Sequence, residues 1–362
     1  MARVLICAGS GGVGKTTTAA ALSVALARRG LKVAVLTIDP ARRLADSLDI
    51  GDIGNEARRV PLPDAHLDAI MLDQKATFDD VVQRFAPDPE TRARILDNHY
   101  YRYVSTRLAG THEYMAMEKL YDLWASGSYD VVVLDTPPAR HALDFLQAPD
   151  KMAGLMDEGV MHWLTLPRNA LGFRVLERGS TALVGVFRRL IGERTMSDIA
   201  EFFHLFHQLW AGFNERSKKA RSLLSSADTR LLLVTTPAPA ARAEAQAFLD
   251  AIEAAGMPFG GFLVNRVVPS PTAPPPAREA FGDPPAAMDA GTWDALVEAV
   301  REAPAHQERL ATATGRYLDA LRLEAGDAPL WRVPELDREV HDLAGLTVIA
   351  DHLSPAIDEL GF

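Results

Sequence analysis

Gly9-Ser10-Gly11-Gly12-Val13-Gly14-Lys15-Thr16-Thr17 lies between a short apolar run, Val4 to Ala8, and an Ala- and Leu-rich run, Thr16 to Ala27. The first run reads as a buried strand and the second as a helix that Gly30 can cap. Between them the residues fit the Walker A pattern at every fixed position, in the strand-to-helix setting that pattern demands. Glycines let backbone N–H groups turn inward and approach phosphate oxygens. The positive end of the following helix adds to that field. Lys15 is expected to reach the β- and γ-phosphates and Thr16 to ligate Mg²⁺, so ATP or ADP with Mg²⁺ are the expected cofactors. The plain alternative is a glycine-rich turn that binds nothing.

Two more apolar runs end in aspartate. Val33 to Asp39 leads into T-I-D-P-A-R-R-L-A-D, and Asp130 to Asp135 reads D-V-V-V-L-D before T-P-P-A-R-H. Magnesium and an attacking water need carboxylates near the transferred phosphoryl group. Both aspartates should emerge at the carboxyl edge of a parallel sheet, where the glycine loop also opens. Thr16, Asp39 and Asp135 are therefore the expected metal-side oxygens, and Asp39 and Lys15 the expected catalytic residues. Taken singly, each aspartate is equally a helix cap.

Further strands are expected at Leu67 to Leu72, Arg230 to Thr236, Gly260 to Asn265 and Leu330 to Pro334. Helices are expected through much of 75–125 and over 240–255, 288–322 and 338–360. Strands separated by helices of this length predict an α/β, three-layer P-loop NTPase: a mostly parallel sheet, helices on both faces, and an α-helical subdomain. Segments 1–74, 126–150 and 228–362 would form the ATPase core, and 75–125 with 151–227 the helical subdomain. The order of strands in the sheet is not legible. Residues 269–285 carry seven prolines and read as an irregular loop.

The 362 residues are 48% hydrophobic and 24% charged, which excludes a collagen, a disulfide-rich module and a disordered chain. Lys and Arg number 38 against 48 Asp and Glu, a net charge of −10 that argues against a nucleic acid partner. Cys7 is the only cysteine, so no internal disulfide and no Cys-x-x-Cys metal site can form. No signal-peptide pattern and no apolar run long enough to span a bilayer occurs, which makes a cytoplasmic protein the expectation, with peripheral membrane association still open.

At G-S-G-G-V-G-K-T-T, D-P-A-R-R-L-A-D and D-T-P-P-A-R-H-A-L-D-F-L the chain resembles the ATPase family of the arsenite-pump ATPase, ArsA, and the guided-entry ATPase for tail-anchored membrane proteins. F-L-V-N-R-V-V-P near 265 and V-P-E-L-D-R-E-V-H near 337 continue the likeness in family order. M-L-D-Q-K-A-T-F-D-D and H-E-Y-M-A-M-E-K-L are similar to a bacterial branch. The resemblance implies that Asp39 orients the attacking water in switch I and that Asp135 sits near magnesium in switch II. It also implies that Asn265 hydrogen-bonds adenine, with Arg266 and Pro334 beside the ring. An amide at a strand end suits adenine's edge, and equally forms turns. As partners it implies a dimer and a hydrophobic client segment or membrane protein; the alternatives are an energising subunit of an anion efflux pump and a slow nucleotide-dependent regulator.

Two departures matter. Family members typically carry lysine where this chain has Ser10, a lysine that reaches the partner's nucleotide. Either Arg42 or Arg43 can substitute electrostatically, or a lysine-bearing paralogue can complete a heterodimer in place of a homodimer. Cys7 alone cannot supply the thiolates that hold arsenite, nor a zinc-stapled dimer. The expected client surface is 151–227. There Leu183, Val184, Val186, Phe187, Leu190 and Ile191 fall at helical spacing, as do Phe202, Phe203, Leu205, Phe206, Leu209, Trp210 and Phe213. Such stripes line a groove in one reading and pack as core in the other. His204 and His207 form a weak metal pair without an evident third ligand.

Overall fold

The computed structural model describes residues 2–39, 41–107, 111–137, 201–202, 205–206 and 208–362. Eight strands form one sheet: β1 (Arg3–Ala8), β2 (Lys32–Thr37), β3 (Arg58–Arg59), β4 (His66–Met71), β5 (Val131–Asp135), β6 (Thr229–Thr235), β7 (Phe259–Val267) and β8 (Leu330–Pro334). Their order is β3-β4-β2-β5-β1-β6-β7-β8. Every neighbouring pair is parallel except β3 with β4. A parallel sheet buries both faces, and alternate residues of β1 serve the two cores. Val4, Ile6 and Ala8 join the core on one face; Leu5 and Cys7 join the core on the other.

The described helices are α1 (Lys15–Arg28), α2 (Arg43–Ser47), α3 (Gln74–Phe85), α4 (Pro89–Asp97), α5 (His99–Arg107), α6 (Thr111–Ala125), α7 (Trp210–Leu224), α8 (Pro239–Ala254), α9 (Ala290–Ala325), α10 (Leu343–His352) and α11 (Ser354–Glu359). Helices α1, α10 and α11 cover the Leu5 face, whereas α3, α6, α7, α8 and the second half of α9 cover the Ile6 face. Local chemistry starts several of them. The carboxylates of Asp73, Asp88, Asp289 and Asp342 each accept a backbone N–H at the first turn of α3, α4, α9 and α10. The three-layer architecture follows the sequence reading, and the strand order completes it.

Some expectations change. The single closing helix over 338–360 is two helices, because Asp342 caps the first only at Leu343 and Pro355 opens a second start. Pro304, by contrast, lies inside the 36-residue α9. It sits in the largely exposed first half, where water can satisfy the carbonyl it leaves unpaired. The proline-rich segment is irregular apart from a 3₁₀ turn at Arg278–Phe281. Of the second apolar stripe, Phe202, Leu205, Phe206, Leu209 and Phe213 are buried core. Phe206 packs on Phe78, and Phe213 stacks on Tyr114 with ring centroids 4.3 Å apart. Those side chains line no open groove. The first stripe, residues 183–191, and the pair His204 and His207 lie outside the described residues.

A charged cluster is buried among the same helices. Glu118 on α6 is 2% exposed and meets Arg84 of α3 at 3.3 Å and Arg216 of α7. Both arginines also hold Asp122. Burial raises the Glu118 pKa, and Arg216 opposes that rise. Among the described residues no helix is long and apolar enough to cross a membrane.

Candidate functional site

All the parallel strands end at one edge, and the expected site residues gather there. The register sets Asp135 beside Cys7 on one side and Thr37 on the other. The loop 9–14 leaves β1 at this edge and delivers α1. Two of its glycines are obligatory. A Cβ at Gly9, where φ is 151°, would stand 2.1 Å from the carbonyl oxygen of Val234. A Cβ at Gly14, where φ is 90°, would stand 2.3 Å from Nδ2 of Asn265.

The loop opens on a cleft of about 670 Å³. Gly11, Gly12, Gly14, Lys15, Thr16, Thr17, Asp39, Asn265, Arg266 and Pro334 line it. Gly9, Ser10, Val13 and Asp135 are not among its lining residues. Lys15 Nζ donates to the Ser10 carbonyl at 2.8 Å. Burial pulls the Lys15 pKa down, while Asp135 and Asp39 pull it up.

Asp135 is the electrostatic centre. It is 0% exposed, and Oδ2 accepts from the hydroxyls of Thr16 at 2.8 Å and Thr37 at 3.0 Å. Its Oδ1 is buried without a hydrogen-bond partner among the described residues. Burial pushes its pKa up to about 6 despite the two hydroxyls and Lys15. A buried carboxylate oxygen with no donor, next to a threonine hydroxyl, is a hard oxygen set of the kind Mg²⁺ accepts. Groups of three or more His, Cys, Asp or Glu side chains placed to hold a metal do not occur among the described residues.

Asp39 follows β2. Its N–H donates to the Thr37 hydroxyl at 3.2 Å, and its Oδ1 accepts from Ala41 N–H at 2.9 Å. Of the two arginines nearby, Arg42 turns away to pair with Asp52. Arg43 lines the cleft, with Nη1 3.8 Å from Asp39 Oδ2 and a largely exposed side chain.

Asn265 is already engaged with protein: Nδ2 donates to the Val13 carbonyl at 3.0 Å and Oδ1 accepts from Arg266 N–H at 2.9 Å. One amide hydrogen and one lone pair remain for a ligand. The amide sits at a bulge, where the pairing of β7 with β8 shifts between Val264 and Val267 and Arg266 adopts φ 56°. Bulges re-aim side chains at sheet rims.

Sequence reasoning missed several residues here. Thr37 holds Asp135 and Asp39 together; a polar residue closing an otherwise apolar strand was the available signal. Arg338 and His341 enter the cleft from the segment after β8; both lie in the V-P-E-L-D-R-E-V-H stretch that carries the family likeness, but no local chemical pattern marked either one as a site residue.

A parallel sheet whose glycine loop, lysine, threonine and two aspartates meet at its carboxyl edge defines the P-loop NTPase class of fold. A model of the anion-transporting ATPase family matches residues 2–278, and the chain belongs to that family. It is similar to a putative arsenical pump-driving ATPase of Halobacterium salinarum, 32% identical over 185 residues, 46% of this chain and 27% of the relative. A second such putative ATPase, from Aquifex aeolicus, is 25% identical over 284 residues, 74% of this chain and 64% of the relative. The ATPase get3 of Aspergillus terreus is 32% identical over 148 residues, 41% of this chain and 43% of that protein. The chain thus spans between 27% and 64% of the length of these curated relatives.

Proposed function

We propose that the chain binds ATP with magnesium in this cleft and hydrolyses the β–γ phosphoanhydride. The observation that carries the reading is Asp135 Oδ1, a buried carboxylate oxygen without a partner among the described residues, beside the Thr16 hydroxyl. In this reading Thr16 and Asp135 would hold the ion, with Asp39 on the same edge. When bound, Mg²⁺ neutralises charge on the phosphate oxygens.

The chain's own residues do the rest. Backbone N–H groups of residues 9–17 and the start of α1 take the phosphates. Lys15 leaves the Ser10 carbonyl for a phosphate oxygen and stabilises charge in the transition state. Asp39 accepts a hydrogen bond from the attacking water and aims it at phosphorus. Asn265, Arg266 and Pro334 flank the base. Arg43 stands in for the cation that Ser10 does not provide, since it lines the cleft beside Asp39 while Arg42 is tied to Asp52.

For the cellular role we favour coupling of a nucleotide-driven dimer change to capture of a hydrophobic segment of a membrane protein. Support comes from the family and from the likeness to get3 ATPases. The partner is a second copy or a lysine-bearing paralogue, and the compartment is the cytoplasm or the membrane face. The names of two relatives favour a second reading, an energising subunit of an anion pump. Against thiolate capture of a metalloid stands Cys7, which is fully buried with its pKa raised by that burial. Titration calorimetry of MgATP and MgADP, followed by phosphate release, tests the enzyme reading; no uptake of either nucleotide overturns it. Native mass spectrometry from the source cell separates a hydrophobic client from a pump subunit.

A further inference from the structure

One peptide group at the cleft is held from both sides. Its N–H belongs to Asp39 and donates to the Thr37 hydroxyl, which in turn donates to Asp135 Oδ2. Its C=O belongs to Ile38 and lies 3.2 Å from Nε2 of His112 on α6, 74 residues further along the chain. The other ring nitrogen, Nδ1, is 3.2 Å from Oε1 of Gln74, the first residue of α3. Gln74 Nε2 donates to the Thr111 hydroxyl at 2.8 Å. The backbone N–H of Ile38 is also fixed, donating to the Asp135 carbonyl at 3.2 Å.

The ring has one way to serve the Ile38 carbonyl, and that is to carry its proton on Nε2. With Gln74 oriented this way both ring nitrogens face carbonyl oxygens, and the imidazolium satisfies both. If the Gln74 amide is turned over, Nε2 of Gln74 donates to Nδ1 and Oε1 accepts from Thr111. The neutral ring then keeps its proton on Nε2. In each case the donor to Ile38 is the same. A peptide gripped at both its oxygen and its hydrogen keeps its plane, which fixes the N–Cα bond of Asp39, and the Ala41 N–H on Oδ1 then restrains the carboxylate that departs from it.

We infer that His112 is a positioning residue for Asp39, and that through it helices α3 and α6 set whether that carboxylate points at the reacting centre. The inference rests on the proposed hydrolysis for its consequence and on the hydrogen bonds alone for its geometry. Helix α6 also carries Glu118, gripped by Arg84 and Arg216, so α3, α6 and α7 are tied to one another. A shift of that group reaches Asp39 through one imidazole.

The test uses the full chain with His112→Ala, His112→Gln and Gln74→Leu. Glutamine retains an N–H donor for Ile38, whereas alanine retains none. Hydrogen exchange in the nucleotide-free protein should rise about tenfold at the Asp39 amide in His112→Ala, the equivalent of one lost hydrogen bond. Exchange should return towards wild type in His112→Gln and rise less in Gln74→Leu. With MgATP, turnover of His112→Ala should fall about 10- to 100-fold at unchanged KM, as misaimed catalytic groups do. Unchanged Asp39 exchange in a folded His112→Ala overturns the inference, and so does unchanged turnover in a protein whose wild type hydrolyses ATP. Should His112→Ala fail to fold, the same two measurements on Gln74→Leu decide, and no change in either overturns the inference. A wild type that hydrolyses nothing sinks the enzyme reading instead, and the exchange data then judge the positioning role alone.

Discussion

Two buried carboxylates, Asp135 at the sheet edge and Glu118 among the helices, differ in how completely they are answered. Desolvation raises both. Glu118 has two arginines on it, and those arginines are shared with Asp122. Asp135 has two hydroxyls on one oxygen and, among the described residues, none on the other, while Lys15 is turned to a backbone carbonyl. The first arrangement is closed and structural. The second is open, and the proposed cation would complete it.

The largest expected effect falls on the open side. Lys15→Ala should lower phosphate release by roughly 10³-fold or more, since it removes a preorganised cation from the transferred group. It should leave the thermal transition near wild type, because Lys15 makes one hydrogen bond to a loop carbonyl. On the closed side Arg216→Leu should cost about 3 kcal/mol in chemical denaturation by leaving Glu118 short of a counter-charge. An unchanged denaturation midpoint there would erase the distinction between the two carboxylates.

A pH series sharpens it. Asp135 holds its proton more tightly folded than unfolded, so its contribution favours the fold most below its ordinary value of 3.8 and is lost as pH rises through about 6. The ligand-free protein should therefore lose roughly 2–3 kcal/mol across that window, a slope missing from Asp135→Asn. Equal slopes in the two proteins would show that Asp135 titrates normally. The smallest effect concerns the arginines beside Asp39. Arg43→Ala should slow turnover about tenfold, whereas Arg42→Ala should stay within about twofold, as an exposed ion pair contributes little. Steady-state phosphate release under saturating MgATP reads both.

Much of this was legible in one sequence, for a local reason. A glycine loop, an apolar run capped by Asp and a proline cluster are all contiguous signals, and the edge where Lys15, Thr16, Asp39 and Asp135 meet follows from parallel strands. What stayed hidden depends on pairs far apart in the chain. Strand order is one such case. His112 on the Ile38 carbonyl and Arg216 on Glu118 are others. The antiparallel β3, two residues long, has too little sequence to show a period. Phe202, Phe206 and Phe213 show the limit of periodicity itself: helical spacing marked an apolar face correctly, and only tertiary packing told that Phe78 and Tyr114 cover it.

Asn265 ties β7 to the backbone of the glycine loop across 252 positions of sequence. Two walls of the cleft are consequently one frame. A displacement of the bulge at Arg266 loads the amide that holds Val13, and a loop that re-aims its N–H groups loads the same hydrogen bond.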